Sequence, residues 1–261
     1  MLGKAVMTAP ASRLTIIKAL IVRDLMARYG RNSLGFFWAI MEPIILAVGV
    51  VIIWSLEVGV SLHGVQVTTF VITAYLPLTL SRHLIGPLSR LGHNNANLFF
   101  HRPVSYSDLL VARITVEVMS STFALCLIYF VTNSLRIIEP IQDWPLTLAG
   151  WLFTGWLYGG IALLACAWTE YWEAAEKFVT PFQYLAMPLS AVFFLVDWVP
   201  SWAQHLLLLN PAVHCYEMFR AGFFGPSVTT HYDPWYIAAW ASGLTLAGIG
   251  ATYRARDHLL D

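Results

Sequence analysis

Phe36-Phe37-Trp38-Ala39-Ile40-Met41-Glu42-Pro43-Ile44-Ile45-Leu46-Ala47-Val48-Gly49-Val50-Val51-Ile52-Ile53-Trp54-Ser55-Leu56-Glu57 carries one charge, Glu42, before its last residue. An apolar run of this length matches the roughly 30 Å hydrocarbon core of a bilayer. The interruption at Glu42-Pro43 sits within the run; proline removes a backbone donor and kinks a helix, and the carboxylate there needs a partner or a neutral form. Similar runs follow near 68–90, 109–133, 146–168, 178–197 and 234–253. The composition fits this reading, since 58% of the 261 residues are hydrophobic and 11% are charged, against roughly 25% charged in an ordinary soluble domain. The expected fold is an all-α integral membrane protein with six transmembrane helices, forming one unit over 1–261 with its bundle at 36–253.

Upstream of the first run, Arg13, Lys18, Arg23, Arg28 and Arg31 alternate with Leu14, Ile17, Ile21 and Leu25 at helical spacing. Residues 12–31 therefore read as an amphipathic helix lying in the membrane interface, with its basic side toward headgroups. Lysines and arginines mark the cytoplasmic side of a membrane protein. Six precede the first span, Arg90 and Arg102 fall between the second and third, Lys177 between the fourth and fifth, and Arg254 and Arg256 in the tail. Only Arg136 and Arg220 fall on the other side. Both termini are thus expected in the cytoplasm, which six spans satisfy. No signal-peptide cleavage pattern is apparent, and the first span is expected to act as the targeting signal.

Between the fifth and sixth runs lie two pieces too short to cross, Val199 to Leu209 and Ala212 to Phe224, punctuated by Pro200, Asn210-Pro211 and Gly225-Pro226. Residues 199–226 read as a re-entrant pair of half-helices near the external face, packed on the bundle because irregular backbone at that depth needs protein or water around it. The formal net charge of zero provides no global field for nucleic acid. No Gly-x-x-x-x-Gly-Lys-[Ser/Thr] phosphate loop, His-Glu-x-x-His or Gly-x-Ser-x-Gly occurs. His83, His93 and His101 lack ligand spacing, and Cys126, Cys166 and Cys215 read as small core residues. Neither a metal site nor a catalytic site is expected.

The second run carries the strongest functional signal. Tyr75, Thr79, Arg82, Gly86 and Arg90 step by four, three, four and four residues and share one helical face. An arginine inside a span is costly unless it faces a bundle interior or a watery cavity. Three readings follow: a pore lining that meets an anionic or sugar substrate, with His83 beside it and Tyr184 among the aromatic candidates; a structural pairing of Arg82 with Glu42 or Glu117; or snorkelling of Arg82 to the nearer interface. Arg113 and Glu117 stand at i,i+4 and read as an intrahelical ion pair. Gly155, Gly159 and Gly160 form a Gly-x-x-x-Gly step suited to close helix packing. The polar connection 91–108 has an apolar tip, Leu98-Phe99-Phe100, followed by His101 and Arg102, and reads as a docking element for a soluble partner. The connection with Glu170, Glu173, Glu176 and Lys177 offers a second, charged contact.

From Ile21 to Pro43 the chain reads Ile-Val-Arg-Asp-Leu-Met-Ala-Arg-Tyr-Gly-Arg-Asn-Ser-Leu-Gly-Phe-Phe-Trp-Ala-Ile-Met-Glu-Pro. This resembles the N-terminal signature of type 2 ABC exporter permeases: a basic interfacial helix, then Arg-Tyr-Gly, Ser-Leu-Gly, Trp and Glu-Pro. Phe100 to Arg113 and Asn210 to Arg220 are similar to two further family segments, so the resemblance covers essentially the whole chain and is closest to the capsular-polysaccharide (KpsM-like) branch. It implies a homodimer of six-helix permease subunits in a Gram-negative inner membrane, with no catalytic residue in this chain. ATP and magnesium would be bound by a separate cytoplasmic ABC ATPase subunit docked on the coupling segments. A lipid-linked, anionic polysaccharide would cross at the dimer interface, and periplasmic and outer-membrane export proteins would continue the path. Arg28, Arg31, Trp38, Glu42 and Pro43 would form the interfacial helix and gate. The same fold serves O-antigen, teichoic acid and other glycolipids. A proton-coupled carrier would instead lose activity with the proton gradient, and an intramembrane lipid-modifying enzyme would need clustered acids or histidines.

Overall fold

The computed structural model describes residues 12–29, 33–59, 61–62, 64–91 and 105–258. Nine helices are described: α1 (Arg13–Tyr29), α2 (Ser33–Val58), α3 (Val67–Leu88), α4 (Tyr106–Ser134), α5 (Trp144–Tyr171), α6 (Glu176–Leu189), α7 (Ser201–Leu207), α8 (Pro211–Phe224) and α9 (Pro234–His258). Short 3-10 turns cover Glu173–Ala175, Val196–Trp198 and Gly225–Ser227. The one departure from an all-helical chain among the described residues is a two-stranded antiparallel hairpin, β1 (Ser61–Leu62) and β2 (Val65–Gln66), turned at Gly64 with φ 81°. α4 and α5 are long and apolar enough to cross a membrane by length and composition.

The helix starts are written locally. Asp143 caps α5 by accepting from the Leu146 amide at 3.0 Å, with a proline in the first turn. Asn210 caps α8 through the Ala212 amide at 3.0 Å, just before Pro211. Asp233 accepts from the Trp235 amide at 2.9 Å, just before Pro234. In each case a side-chain oxygen satisfies an orphan amide, while proline occupies a position that needs no donor. α4 ends differently. Arg136 adopts φ 55°, and the Ile137 amide reaches back to the Thr132 carbonyl at 2.9 Å. That closure usually employs glycine.

Contacts fix the direction of each helix. α5 and α9 run parallel, because a Cβ on Gly160 would meet Leu244 Cβ at 3.0 Å and one on Gly248 would meet Leu163 Cβ at 2.6 Å. α8 runs antiparallel to α5: Phe219 lies on Gly150, where a Cβ would come within 2.6 Å of backbone, and Gly222 lies on Thr147. α6 is antiparallel to α3, since residue 82 meets 184 and residue 90 meets 176. Trp151 and Phe219 form the centre of the α5–α8 packing, with ring centroids 5.9 Å apart.

Several expectations change. The tight glycine contact is at Gly160; Gly155 and Gly159 have only ordinary van der Waals neighbours, so that Gly-x-x-x-Gly step is not the close approach. Cys166 and Cys215 are buried as expected, but Cys126 is exposed on α4. The fifth apolar run is helical only as far as Leu189 and continues as irregular backbone with Ala191 at φ 55°. Arg220, counted with the charges of the external side, lies on α8 and is 0% exposed. The expected pair of short segments is present as α7 and α8, and the Asn210 side-chain amide donates to the Leu189 carbonyl at 2.9 Å, tying the start of α8 to the end of α6.

Candidate functional site

The site begins with the face of α3. Thr79 spends its hydroxyl on its own helix, donating to the carbonyls of Tyr75 and Leu76 at 2.9 and 2.8 Å. Three residues on, Arg82 Nη2 donates to the Tyr184 hydroxyl at 3.0 Å, and its guanidinium carbon stands 5.0 Å from the Tyr184 ring centroid. Two turns further, Arg90 Nε pairs with Glu176 Oε1 at 2.7 Å, both side chains partly exposed. α3 and α6 are thus tied at two points, and among the described residues the rest of the Arg82 guanidinium fork has no partner, leaving donors for a ligand carboxylate or sugar hydroxyl.

Of the two structural partners expected for Arg82, Glu117 is engaged by another residue, and the Glu42 side chain lies outside the described residues. Glu117 is occupied by Arg113, with Nε–Oε1 at 3.1 Å, and Arg113 also reaches Asp24 Oδ2 on α1 at 3.3 Å. The i,i+4 pairing was legible, but its extension to α1 was not. His83 is half-buried beside Arg82. Tyr75 packs near Ala74, Leu78 and Tyr216 and also borders an apolar crevice against α2 and α4.

α6 leans on the bundle by a narrow edge. Val179 is its one buried residue, while Phe182 and Leu185 are 67% and 69% exposed and Tyr184 is 53% exposed. The open face combines aromatic area with one guanidinium and one phenol. Aromatic rings offer apolar contact to sugar faces at low entropic cost. At the start of α6, Trp172 and Phe178 stack with ring centroids 5.9 Å apart.

What holds α6 from behind was not foreseen. Its chain leaves the helix at Ser190, and the irregular carbonyls that follow have no helical partners. Arg220 supplies them: Nη1 donates to the Ala191 and Phe194 carbonyls at 2.7 and 2.8 Å, and Nη2 to the Val192 carbonyl at 2.6 Å. Its guanidinium lies 4.6 Å from the Phe70 ring centroid. One turn back, Glu217 accepts from the Val196 amide at 3.3 Å and the His231 amide at 2.9 Å. Glu217 and Arg220 stand at i,i+3 in an apolar stretch, a spacing that could have flagged them.

Of the remaining candidates, Leu98, Phe99, Phe100, His101, Arg102 and Arg31 lie outside the described residues. Arg28 falls on α1, Trp38, Glu42 and Pro43 on α2, and Glu173 opens the 3-10 turn before α6; their side chains lie outside the description. No group of three histidine, cysteine, aspartate or glutamate residues that could hold a metal ion occurs among the described residues.

Comparison with known proteins bears on this geometry. The sequence profile of the ABC-2 type transporter family matches residues 15–224. The capsule polysaccharide export inner-membrane protein CtrC of Neisseria meningitidis serogroup A is 34% identical over 243 residues, covering 92% of this chain and 90% of that protein. The capsule polysaccharide export inner-membrane protein BexB of Haemophilus influenzae is 28% identical over 239 residues, covering 90% and 88%. The polysialic acid transport protein KpsM of Escherichia coli is 25% identical over 261 residues, covering 94% of each.

Proposed function

The chain belongs to the ABC-2 type transporter family, and on that premise we propose that it is the membrane-spanning permease subunit of an ATP-driven exporter of capsular polysaccharide in a bacterial inner membrane. One observation carries the reading: relatives named for capsule polysaccharide export align along nine-tenths of both chains. O-antigen or another glycolipid is the alternative cargo on the same fold.

The alternating helix directions support six passes. α2, α4 and α6 run one way and α3, α5 and α9 the other, while α7 and α8 form the re-entrant pair. The lysine and arginine distribution favours cytoplasmic termini. In this reading two copies face each other across α3 and α6, and the polymer passes along the wall that carries Tyr75, Thr79, Arg82, His83, Arg90 and Tyr184. The chain itself supplies no ATP chemistry; ATP and magnesium belong to a cytoplasmic ATPase partner that docks on Leu98–Arg102 and on the turn holding Glu173 and Glu176. Arg28, Arg31, Trp38, Glu42 and Pro43 then form the interfacial helix and gate. Periplasmic and outer-membrane proteins receive the polymer. ATP-driven closure of the partner pair biases two packings of the bundle, and α6 is the element through which a push at Glu176 reaches Tyr184 within the same helix.

The test is co-purification of the full chain from detergent with an ATPase subunit, followed by hydrolysis and polysaccharide export by the pair. A stoichiometric ATPase, whose stimulation is lost on replacing Leu98, Phe99 and Phe100 by serine, is expected. A chain that captures no ATPase, or whose export collapses with the proton gradient and persists without ATP, returns the carrier reading to the front.

A further inference from the structure

α2 and α4 each pack on α3 but scarcely on each other, and they leave a crevice over α3. Its volume is about 350 Å³. Ile44 and Ile52 mark its ends on α2, Thr68 and Leu76 on α3, and Leu127 and Val131 flank it on α4. Eight residues at 1.5 Å per residue make it about 12 Å long. Water does not suit it, because a bound water needs two to four polar partners and the lining is aliphatic apart from Thr68, Tyr75 and Thr132; the Thr132 hydroxyl is already spent on the Ile128 carbonyl at 2.6 Å. An alkyl chain matches the chemistry of the lining.

A charged residue adjoins the lining in sequence. Ile137 lines the crevice, and Arg136 directly precedes Ile137. Arg136 is exposed, has no ion pair among the described residues, and holds φ 55° at the end of α4, where glycine would be unstrained. An arginine kept in that conformation beside an apolar crevice has the layout of a phospholipid site. We propose that this crevice binds one acyl chain of a glycerophospholipid, with Arg136 on its phosphate. The proposal rests on the reading of α2, α3 and α4 as membrane helices, not on the cargo of the exporter.

The full chain is reconstituted into vesicles of phosphatidylethanolamine and phosphatidylglycerol. They are doped either with phosphatidylethanolamine carrying a diazirine on one acyl chain or with diacylglycerol carrying the same chain. After illumination, labelled peptides are quantified against the outward face of α9 around Leu246 and Ile249, which are exposed. Peptides of the crevice are expected to be labelled about tenfold over that face, and Ala47→Phe or, at the rim, Val131→Phe removes the excess. Arg136→Gly is expected to reduce phospholipid labelling about tenfold, the loss of one charge-assisted contact, while leaving diacylglycerol labelling unchanged. The same variant is expected to raise the melting temperature in lipid-free detergent, because the backbone strain is relieved; a purely structural role for Arg136 predicts a fall. Labelling of the crevice no higher than α9, insensitivity to both phenylalanine variants, or equal loss with both lipids overturns the proposal. The measurement needs no ATPase, so its failure is distinct from failure of the exporter reading.

Discussion

Arg82 on α3 and Arg220 on α8 are the same residue set within apolar helices, and they differ in what is left over. Arg220 is wholly buried, with Nη1 and Nη2 donating to three backbone carbonyls, the Phe70 ring near its guanidinium, and Nε without a hydrogen-bond partner among the described residues. Arg82 has one phenol and a partly exposed ring, with donors to spare. A guanidinium whose donors end on backbone is a building part, whereas one with open donors on an uncovered face is available to a ligand. Sequence position alone separates them poorly, since hydropathy scores both as costly.

The largest effect expected from this contrast is at Arg220. Arg220→Met removes the donors to Ala191, Val192 and Phe194 and takes the neighbouring cation from Glu217. Removing one member of a buried charged set costs about 3–5 kcal/mol. Thermal unfolding of the purified chain in detergent should show that loss, with Arg220→Lys recovering only part because a point charge cannot span three carbonyls. A variant within about 1 kcal/mol of the native chain would erase the distinction between the two arginines.

Arg82 is expected to behave in the opposite way. Arg82→Ala removes one hydrogen bond on a half-open face, so stability should change by no more than about 1 kcal/mol. Export by cells carrying the variant should fall about tenfold or more, the factor that ~1.4 kcal/mol of lost charge-assisted contact represents. Arg82→Lys should restore less than half of it, lacking the planar fork. Loss of folded protein with Arg82→Ala would move Arg82 into the same class as Arg220.

The long helices were legible because their signals are local. Apolar runs gave α2, α3, α4, α5 and α9 to within a few residues, and Asn210-Pro211 marked a start at which the structure has a capping bond. The stripe from Tyr75 to Arg90 was readable from helical spacing. Its partners were not, because Tyr184 and Glu176 lie about a hundred residues away and nothing in local pattern pairs them. The end of α6 at Leu189 was missed for a related reason. Apolarity continues through Ser190–Val196, so hydropathy sees a span, but the backbone turns at Ala191 and is kept there by a side chain from α8.

The smallest effect is expected at the other end of α6, and it sharpens the comparison most. Arg90 and Glu176 are 54% and 34% exposed at their side chains, so their pairing is screened by solvent. A double-mutant cycle on Arg90→Ala and Glu176→Ala should give a coupling of about 0.2–1 kcal/mol in unfolding stability. It should vanish in 1 M salt, where the Debye length is ~3 Å. A coupling above about 2 kcal/mol that resists salt would make this a clamp of the Arg220 kind. A weak coupling has a different consequence. α6 would then be fixed at its Leu189 end by Asn210 and by Arg220 on the backbone that follows, and loosely tethered at its Glu176 end, so that displacement enters where the tie is weakest and swings Tyr184 against Arg82. The order of the two tie strengths, rather than either alone, is what allows one helix to serve as both wall and lever.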